Sequence, residues 1–500
     1  MKKYLDINKI LRISCLLCAV SAMFKMVILI NAPFSYDELF TVVATDPRYS
    51  FFYLAKKYLL IDVHPPLHYL FTYAVNMFFP VQTEISMRFH SLIFCWLTVI
   101  ISFFCFPKYL PKNAKYIFTA LTASSFFAVF YAVDARPYAM LLFLSTALTL
   151  IMLSFIHKIN GKKTITNNWF TLYFVVTLCL TYTHYWGSLF AGAVFLAMLF
   201  YSRKNHEYIK KFIIFYIVVL VLFLPWLIPN VYLNIMQKRF AGNWWAGTMN
   251  LPYFMTDLQK HLFVKEYGIY FFTALLSFCV YFLLKYKNKY AALKYKAEFA
   301  APLAIIFFVA AFTVLISLKI NLLHVRYFTV IAPCLFFVIA LLCAANIKHH
   351  KLAWLPVLFL LSLYTLSLDK DKLTSASRSI SSIIASMPKE EQKILVIDFY
   401  PNNSLEKMYS YYANDRFGRN IKFTEIMTNP QTEINNDDII WLPHCQRFKL
   451  EVAETELKVP FKIVSRIGES CFIQKEAGRR YMNYGHIYKH DPGAGLKWEK

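Results

Sequence analysis

Long apolar runs separated by short polar segments fill the first three quarters of the chain. A helix needs roughly 17 to 25 mostly apolar residues to cross a bilayer, and many of these runs are that long. Spans fit at residues 13–31, 88–106, 115–133, 138–156, 169–184, 186–201, 211–228, 268–285, 299–318, 327–346 and 352–368. The pattern predicts an α-helical polytopic membrane protein with about 11 transmembrane helices.

After residue 368 the apolar runs shrink to strand length, as in KILVIDFYP, DDIIWLP and FKIVSRIGESCFIQ. Alternating apolar and polar positions are typical of half-buried strands, and SLEKMYSYYANDRF fits a helix between them. We therefore expect a transmembrane domain at 1–368 and a small α/β domain at 369–500. Cys445 and Cys471 are the cysteines of that second domain, and they could form a disulfide if it lies outside the cytoplasm.

Positive charge is concentrated in alternate loops. The net charge is +24, but no nucleic-acid-binding pattern accompanies it, so anionic lipid headgroups are the expected neighbours rather than nucleic acid. Basic loops stay in the cytoplasm, which places the N-terminus inside and, with an odd number of spans, the C-terminal domain in the periplasm. We expect a multi-pass protein of a bacterial inner membrane.

The apolar segment HPPLHYLFTYAVNMFFP, residues 64–80, is the one run that the charge pattern argues against as a span. If it crossed the membrane, every later basic cluster would fall outside. We place it as a juxtamembrane helix along the outer membrane surface. Residues 32–87 then form one large external loop.

Five segments predicted to be external carry the unusual polar residues: YDE at 36–38, DVHPPLHY, YAVDARPYA, THYW and KINLLHVRY. Ionisable groups at membrane depth are costly and usually face a cavity or a partner. This distribution predicts one site on the external face.

The chemistry of these residues suits phosphate and proton transfer. Asp37 and Glu38 are neighbouring carboxylates, and we expect their repulsion to raise the pKa of one of them, although a solvated surface pair is the simpler reading. Arg136 could bind a phosphate bidentately or pair with Asp134. Arg326 and Lys319 could add positive charge to the same phosphate, or could extend toward the membrane surface.

In this order the motifs YDE, HPPL, DARPYA, THYW and RYF resemble those of the GT-C membrane glycosyltransferases. The specific likeness is to the branch of dolichyl-phosphate-mannose protein mannosyltransferases, which also includes aminoarabinose transferases acting on lipid A. It extends over residues 1–345 and does not cover the C-terminal domain. The resemblance implies a sugar donor carried on a polyprenyl phosphate and used on the outer face.

The resemblance also implies roles for individual residues. Asp37 would be the base that deprotonates an acceptor hydroxyl for inverting attack on the sugar, with Glu38 assisting. Arg136, Arg326 and Lys319 would bind the donor phosphate. The cavity would be lined by His64, Asp134, Tyr138, His184, Tyr185 and Tyr327, although the family often has Glu at the position of Asp134.

Two questions stay open at the level of sequence. A flippase or exporter of polyprenyl-linked glycans would need the same cations but no base. A divalent metal is possible, but two adjacent carboxylates fall short of a ligand set. The sugar and the acceptor, whether lipid, glycan or protein, are not specified by any motif.

Overall fold

The computed structural model describes residues 7–236, 295–346 and parts of 392–498, with short gaps at 32–33, 35, 61, 63, 80–82 and 319–321. Helices account for nearly all of the first two ranges. They are α1 (Ile7–Leu29), α2 (Tyr36–Ala44), α3 (Phe51–Leu54), α4 (Leu67–Asn76), α5 (Glu84–Phe104), α6 (Lys112–Ser124), α7 (Phe126–Tyr131), α8 (Tyr138–Asn160), α9 (Asn167–Thr183), α10 (Tyr185–Ser202), α11 (His206–Met236), α12 (Lys296–Ser317) and α13 (Ala332–Asn346). A π-helical turn, Ala55–Leu59, continues α3, and a 3₁₀ helix, Val325–Ile331, leads into α13.

Seven helices in the described part of the chain are long and apolar enough to cross a membrane: α1, α5, α8, α10, α11, α12, and the 3₁₀ helix together with α13. Their outward faces carry large exposed apolar side chains, such as Phe24, Phe104 and Phe307. Side chains of this kind are stable when lipid, rather than water, surrounds the helix. The chain is therefore a polytopic helical membrane protein.

The other predicted spans have separate outcomes. Residues 115–133 form two helices instead of one, because the extended backbone of Ser125 ends α6 and its side chain accepts a hydrogen bond from Ala128 N to start α7. Residues 169–184 match α9, which has 17 residues. The spans predicted at 268–285 and 352–368 lie outside the described residues.

The region between α1 and α5 contains only short helices. The longest of them, α4, has 10 residues and rises about 15 Å, against about 30 Å of hydrocarbon in a bilayer. This length fits the surface helix predicted within residues 64–80. Pro66 precedes the first helical residue, where its missing N–H leaves no hydrogen bond unmade.

The centre of the membrane domain is α8, which is buried along almost its whole length and packs against α5, α9 and α10. Pro137, with φ fixed near that of a helix, precedes its first residue. α8 begins two residues after Arg136, and α10 and the 3₁₀ helix begin directly after His184 and His324. The fold therefore brings three of the five predicted segments to one end of the helix bundle.

The C-terminal part contains a mixed five-stranded sheet in the order β2-β1-β3-β5-β4, with bounds β1 (Gln392–Val396), β2 (Ile421–Glu425), β3 (Ile440–Leu442), β4 (Phe461–Ile467) and β5 (Ser470–Lys475). β1 pairs in parallel with β2 and β3, whereas β5 is antiparallel to β3 and β4. A separate hairpin joins β6 (Tyr488–Asp491) and β7 (Gly495–Trp498). All the strands predicted from alternation are present, and β2, β6 and β7 are additions to them. Most of the helix expected within 404–417 lies outside the described residues.

Candidate active site

The predicted external segments meet at one place. The guanidinium of Arg326 donates a hydrogen bond to Asp37 Oδ2 at 2.9 Å, across 289 residues of sequence. Arg136 donates to the backbone carbonyl of Asp37 at 3.3 Å and lies 3.2 Å from His64 Nδ1. His64 in turn faces His184, with ring centroids 5.1 Å apart. Five distant motifs thus build a single charged cluster.

Asp37 and Glu38 point in different directions because both lie in the first turn of α2. Successive residues of an α-helix are rotated by about 100°, so adjacent side chains do not share a face. The side chain of Asp37 is 46% exposed, and its Oδ1 has no hydrogen-bond partner among the described residues. Glu38 is turned inward and its side chain is 3% exposed. Of the two carboxylates, only that of Asp37 is substantially exposed.

Glu38 is held in a fully buried ion pair that the sequence analysis missed. Nε and Nη2 of Arg88, on α5, donate to its two oxygens at 2.6 and 2.7 Å. Arg88 also donates to the carbonyl of Ile30 at 2.9 Å, and Glu38 accepts the backbone N–H of Ala135 at 2.8 Å. The assisting role of Glu38 stays a prediction; in the structure its carboxylate and Arg88 connect the end of α1, α2, α5 and the loop before Arg136.

Removing one partner of this pair should destabilise the protein strongly. In Arg88→Met the Glu38 carboxylate stays buried without its cation, which costs about 3–5 kcal/mol of unfolding free energy. Unfolding in detergent, followed by heat or denaturant, measures the change.

The matched control is the Lys211–Glu207 pair on α11, in which Lys211 Nζ lies 2.6 Å from Glu207 Oε1 and Glu207 is 69% exposed. Lys211→Met should change the unfolding free energy by about 1 kcal/mol or less, since solvent screens exposed pairs. Equal losses in the two variants would contradict the structural role of Glu38.

The pKa of Asp37 is lowered, whereas the sequence analysis expected repulsion to raise the pKa of one of the two carboxylates. Burial raises the pKa of Asp37, but the positive charges of Arg326 and Arg136 outweigh burial, and the net pKa lies below the ordinary value of 3.8. The predicted repulsion between Asp37 and Glu38 is not decisive, because Arg88 neutralises Glu38. Asp37 is therefore ionised at neutral pH and able to accept a proton.

Arg136 does not form the pair with Asp134 that the sequence offered as its simpler role. Its Nη1 donates to Thr41 Oγ1 at 3.3 Å and to Tyr69 Oη at 3.1 Å, both on the helices between α1 and α5. Asp134 lies behind the site, where burial and the charge of Glu38 raise its pKa well above the ordinary value. Asp134 is buried and is not among the side chains that line the cavity, so its predicted place in the cavity lining stays a prediction.

A second carboxylate at the site, Asp62, was not singled out from the sequence. Its Oδ2 accepts a hydrogen bond from Tyr69 Oη at 2.6 Å and lies 3.1 Å from His64 Nδ1. Burial raises the pKa of Asp62, but His64 and Arg136 lower it by more than burial raises it. The net pKa is below the ordinary value, so Asp62 is ionised at neutral pH. The sequence contained a clue to this role, because Asp62 stands two residues before His64 in the segment DVHPPLHY.

A cavity of about 330 Å³ begins at this cluster. Polar and aromatic side chains line part of it, namely His64, His184, Tyr185, Trp186, Asn230, Asn234 and Tyr327. The remainder is apolar and comes from Leu189, Leu227, Val231, Phe312, Ile316 and Leu322, on α10, α11, α12 and the segment after α12. The cavity therefore suits an apolar chain with a polar head.

The polar side of the site contains buried donors that have no acceptor. Within the part of the chain that the structure describes, Arg136 Nε, Tyr138 Oη and His184 Nε2 are buried and make no hydrogen bond. The rings of Tyr138 and His184 are 5.7 Å apart. Buried donors are almost always paired in proteins, so three unpaired ones beside two arginines indicate a site built for an anionic acceptor.

Three predictions about the site remain to be placed. Tyr138 packs behind His64 and His184 instead of lining the cavity directly, whereas His64, His184, Tyr185 and Tyr327 line it. Lys319 lies outside the described residues. Among the residues that are described, no group of three or more His, Cys, Asp and Glu side chains could hold a metal ion.

Comparison with known proteins identifies the fold. No family model and no curated protein sequence matches the chain. Two crystal structures of ArnT from Cupriavidus metallidurans do resemble it. The undecaprenyl phosphate complex has 11% identity and a TM-score of 0.55, covering 93% of this chain and 98% of ArnT. The apo structure has 12% identity and a TM-score of 0.54, and the match covers 92% of this chain and 97% of ArnT. The chain thus has the GT-C fold of ArnT, which confirms the fold expected from its motifs.

Proposed function

We propose that this chain, a polytopic membrane protein with the GT-C fold, is an inverting glycosyltransferase. It moves a sugar from a polyprenyl-phosphate donor to a hydroxyl of a lipid, glycan or protein acceptor. The observation that carries the proposal is the site itself. An ionised, half-exposed Asp37, two arginines and the unpaired buried donors of Arg136, Tyr138 and His184 lie together beside the polar end of a largely apolar cavity. ArnT of the same fold binds undecaprenyl phosphate, a ligand of the matching chemistry.

The donor fits the cavity in one orientation. An isoprenoid chain is wholly apolar, so it occupies the part lined by α10, α11 and α12. Its phosphate then lies beside Arg136 and Arg326, whose planar forks match phosphate oxygens. The sugar extends from the phosphate toward Asp37, which already contacts both arginines.

In the reaction, Asp37 takes the proton of the acceptor hydroxyl while that oxygen bonds to the anomeric carbon. The bond from the anomeric carbon to the phosphate oxygen breaks, and polyprenyl phosphate leaves with the electron pair. Attack from the side opposite the phosphate inverts the configuration. The phosphate gains one negative charge in this step, and Arg136 and Arg326 stabilise that charge more than the ground state.

Lowering the positive charge near Asp37 should move the acid limb of the pH profile. The base must be ionised to accept a proton. Because the pKa of Asp37 lies below 3.8, protonation of Asp37 reduces activity in the wild type only when the pH falls below that value. In Arg326→Gln the cation is absent while burial remains, so the pKa rises and kcat/KM begins to fall at higher pH. The measurement is kcat/KM against pH for both proteins. A variant with lower activity but an unmoved acid limb would contradict the coupling of Arg326 to the base.

The proposal places the site on the periplasmic face of a bacterial inner membrane, with the N-terminus inside. The positive-inside distribution of Lys and Arg supports it. Cys471 is in a disulfide, a bond that persists in oxidising compartments, while its suggested partner, Cys445, lies outside the described residues. A membrane-impermeant thiol reagent should reach the reduced C-terminal domain from the periplasm; labelling only after lysis would reverse the topology.

Reconstitution in liposomes separates the proposal from a flippase. Purified protein is supplied with a polyprenyl-phosphate sugar labelled in the sugar, together with candidate hydroxyl acceptors. A glycosyltransferase moves the label to the acceptor and releases polyprenyl phosphate. A flippase would move the intact labelled lipid between leaflets with no release, and the ionised Asp37 would then have no role.

A further inference from the structure

His184 is the residue before α10, and its imidazole caps that helix. The backbone is extended, and Nδ1 accepts the N–H of Trp186 at 3.1 Å. A ring nitrogen that accepts a hydrogen bond carries no proton, so the neutral imidazole is protonated on Nε2. The helix cap therefore fixes the tautomer, and His184 presents an N–H donor on its other side.

His184 is also one of the polar residues that line the cavity. Nε2 is buried without a hydrogen-bond partner among the described residues. The ring lies between His64, at 5.1 Å, and Tyr327, at 5.5 Å between centroids, and all three line the cavity. A buried N–H that finds no acceptor in the protein is satisfied when a ligand supplies one.

The surrounding charges specify the kind of acceptor. Arg136 lies 3.2 Å from His64, and Arg136 Nε and Tyr138 Oη are further donors with no acceptor in the described part of the chain. These donors and the two arginines suit an oxyanion, whose oxygens can accept several hydrogen bonds at once. Phosphate supplies several acceptor oxygens at once.

We propose that His184 binds the phosphate of the polyprenyl-phosphate donor through its Nε2–H and acts as a neutral hydrogen-bond donor, never as a base. This assignment rests on the proposed function and deepens it, because it gives a substrate-binding role to a residue whose structural role is a helix cap. The two roles belong to the two ring nitrogens, so substitutions can separate them.

Two matched variants test this separation. In His184→Asn the amide oxygen takes the place of Nδ1, and Asn is a preferred N-cap, so the helix stays capped while the distal donor is lost. In His184→Gln the longer side chain returns an N–H near the position of Nε2 but caps poorly. Undecaprenyl phosphate should bind the Asn variant roughly 10- to 100-fold more weakly than wild type, and the Gln variant within a few-fold of it.

Thermal unfolding should show the reverse order, with the Asn variant near wild type and the Gln variant less stable. If His184 were only a cap, the Asn variant would bind undecaprenyl phosphate normally, and that result would overturn the assignment. Binding is measured without any sugar, so this outcome is independent of whether transfer is ever detected.

The proposal can also be tested by NMR on the wild-type protein, so the result does not depend on whether a variant folds. With ¹⁵N-labelled histidine, NMR should show His184 protonated on Nε2, and that proton should shift when undecaprenyl phosphate is added. A ring protonated on Nδ1, or an Nε2–H signal that undecaprenyl phosphate leaves unmoved, would contradict the proposal.

Discussion

Asp37→Asn should reduce sugar transfer by about 10²–10⁴-fold while leaving donor binding nearly unchanged, because a positioned general base contributes an effect of that size. Asn occupies the same volume and still accepts a hydrogen bond from Arg326, which contacts Asp37 Oδ2 at 2.9 Å. It cannot take the proton of the acceptor hydroxyl. The loss should therefore appear in kcat, with little change in KM for the donor.

A control on the same stretch of chain separates catalysis from a general loss of charge. Asp46, two residues after the end of α2, pairs with Arg48 and takes no part in the proposed site. Asp46→Asn should retain activity close to wild type. If Asp37→Asn folds, binds the donor and turns over at the wild-type rate, Asp37 is not the base.

Arg136→Gln should lower kcat/KM by at least about 100-fold, since removing a preorganised donor to a developing negative charge has an effect of that order. The substitution also removes the contacts with Tyr69 and His64 that place the guanidinium in the site. Unlike Asp37→Asn, it should weaken the binding of undecaprenyl phosphate. The measurement is donor affinity alongside initial rates.

Arg136→Lys refines this prediction. Lysine keeps the positive charge but not the planar fork, so part of the affinity should return while transfer stays impaired. Arg203→Gln, at an exposed position after α10, is the control for loss of positive charge and should bind the donor normally. Normal donor binding by Arg136→Gln would show that the phosphate lies elsewhere.

The sequence predicted the polytopic fold because membrane spans need long apolar runs, and such runs can be recognised locally, without knowing which residues contact each other. It also indicated that Asp37, Arg136, His64, His184 and Arg326 share a site. Their joint position follows from the positive-inside pattern, which places separate loops on one face, together with the order of the motifs. The structure brings these five residues together.

The sequence was least informative where a role depends on a partner. Glu38 and Asp37 look equivalent in YDE, yet the helical rotation between them sends Glu38 to Arg88, in the interior of α5. Nothing local in the sequence indicates that pairing over 50 residues. Likewise, the donor role of His184 follows from the N–H of Trp186 at its other nitrogen, which is visible only once α10 is in place.

The break between α6 and α7 is a third example. Residues 115–133 have the composition of one span, and only the extended backbone at Ser125 divides them. Serine is a common N-cap, so the residue type was suggestive, but serine also occurs inside membrane helices, where it bonds to the carbonyl one turn earlier. Ser124, its neighbour, does this with Ala120 O at 2.6 Å.

The most direct test of the central claim is the anomeric configuration of a transferred sugar. Purified protein is incubated with a synthetic polyprenyl-phosphate sugar of one defined configuration and a hydroxyl acceptor, and the product is examined by NMR. We expect polyprenyl phosphate and a glycoside of the opposite configuration, formed by wild type and not by Asp37→Asn. A product that retains the donor's configuration, or a donor that stays intact with every acceptor while still being bound, would contradict direct displacement assisted by Asp37.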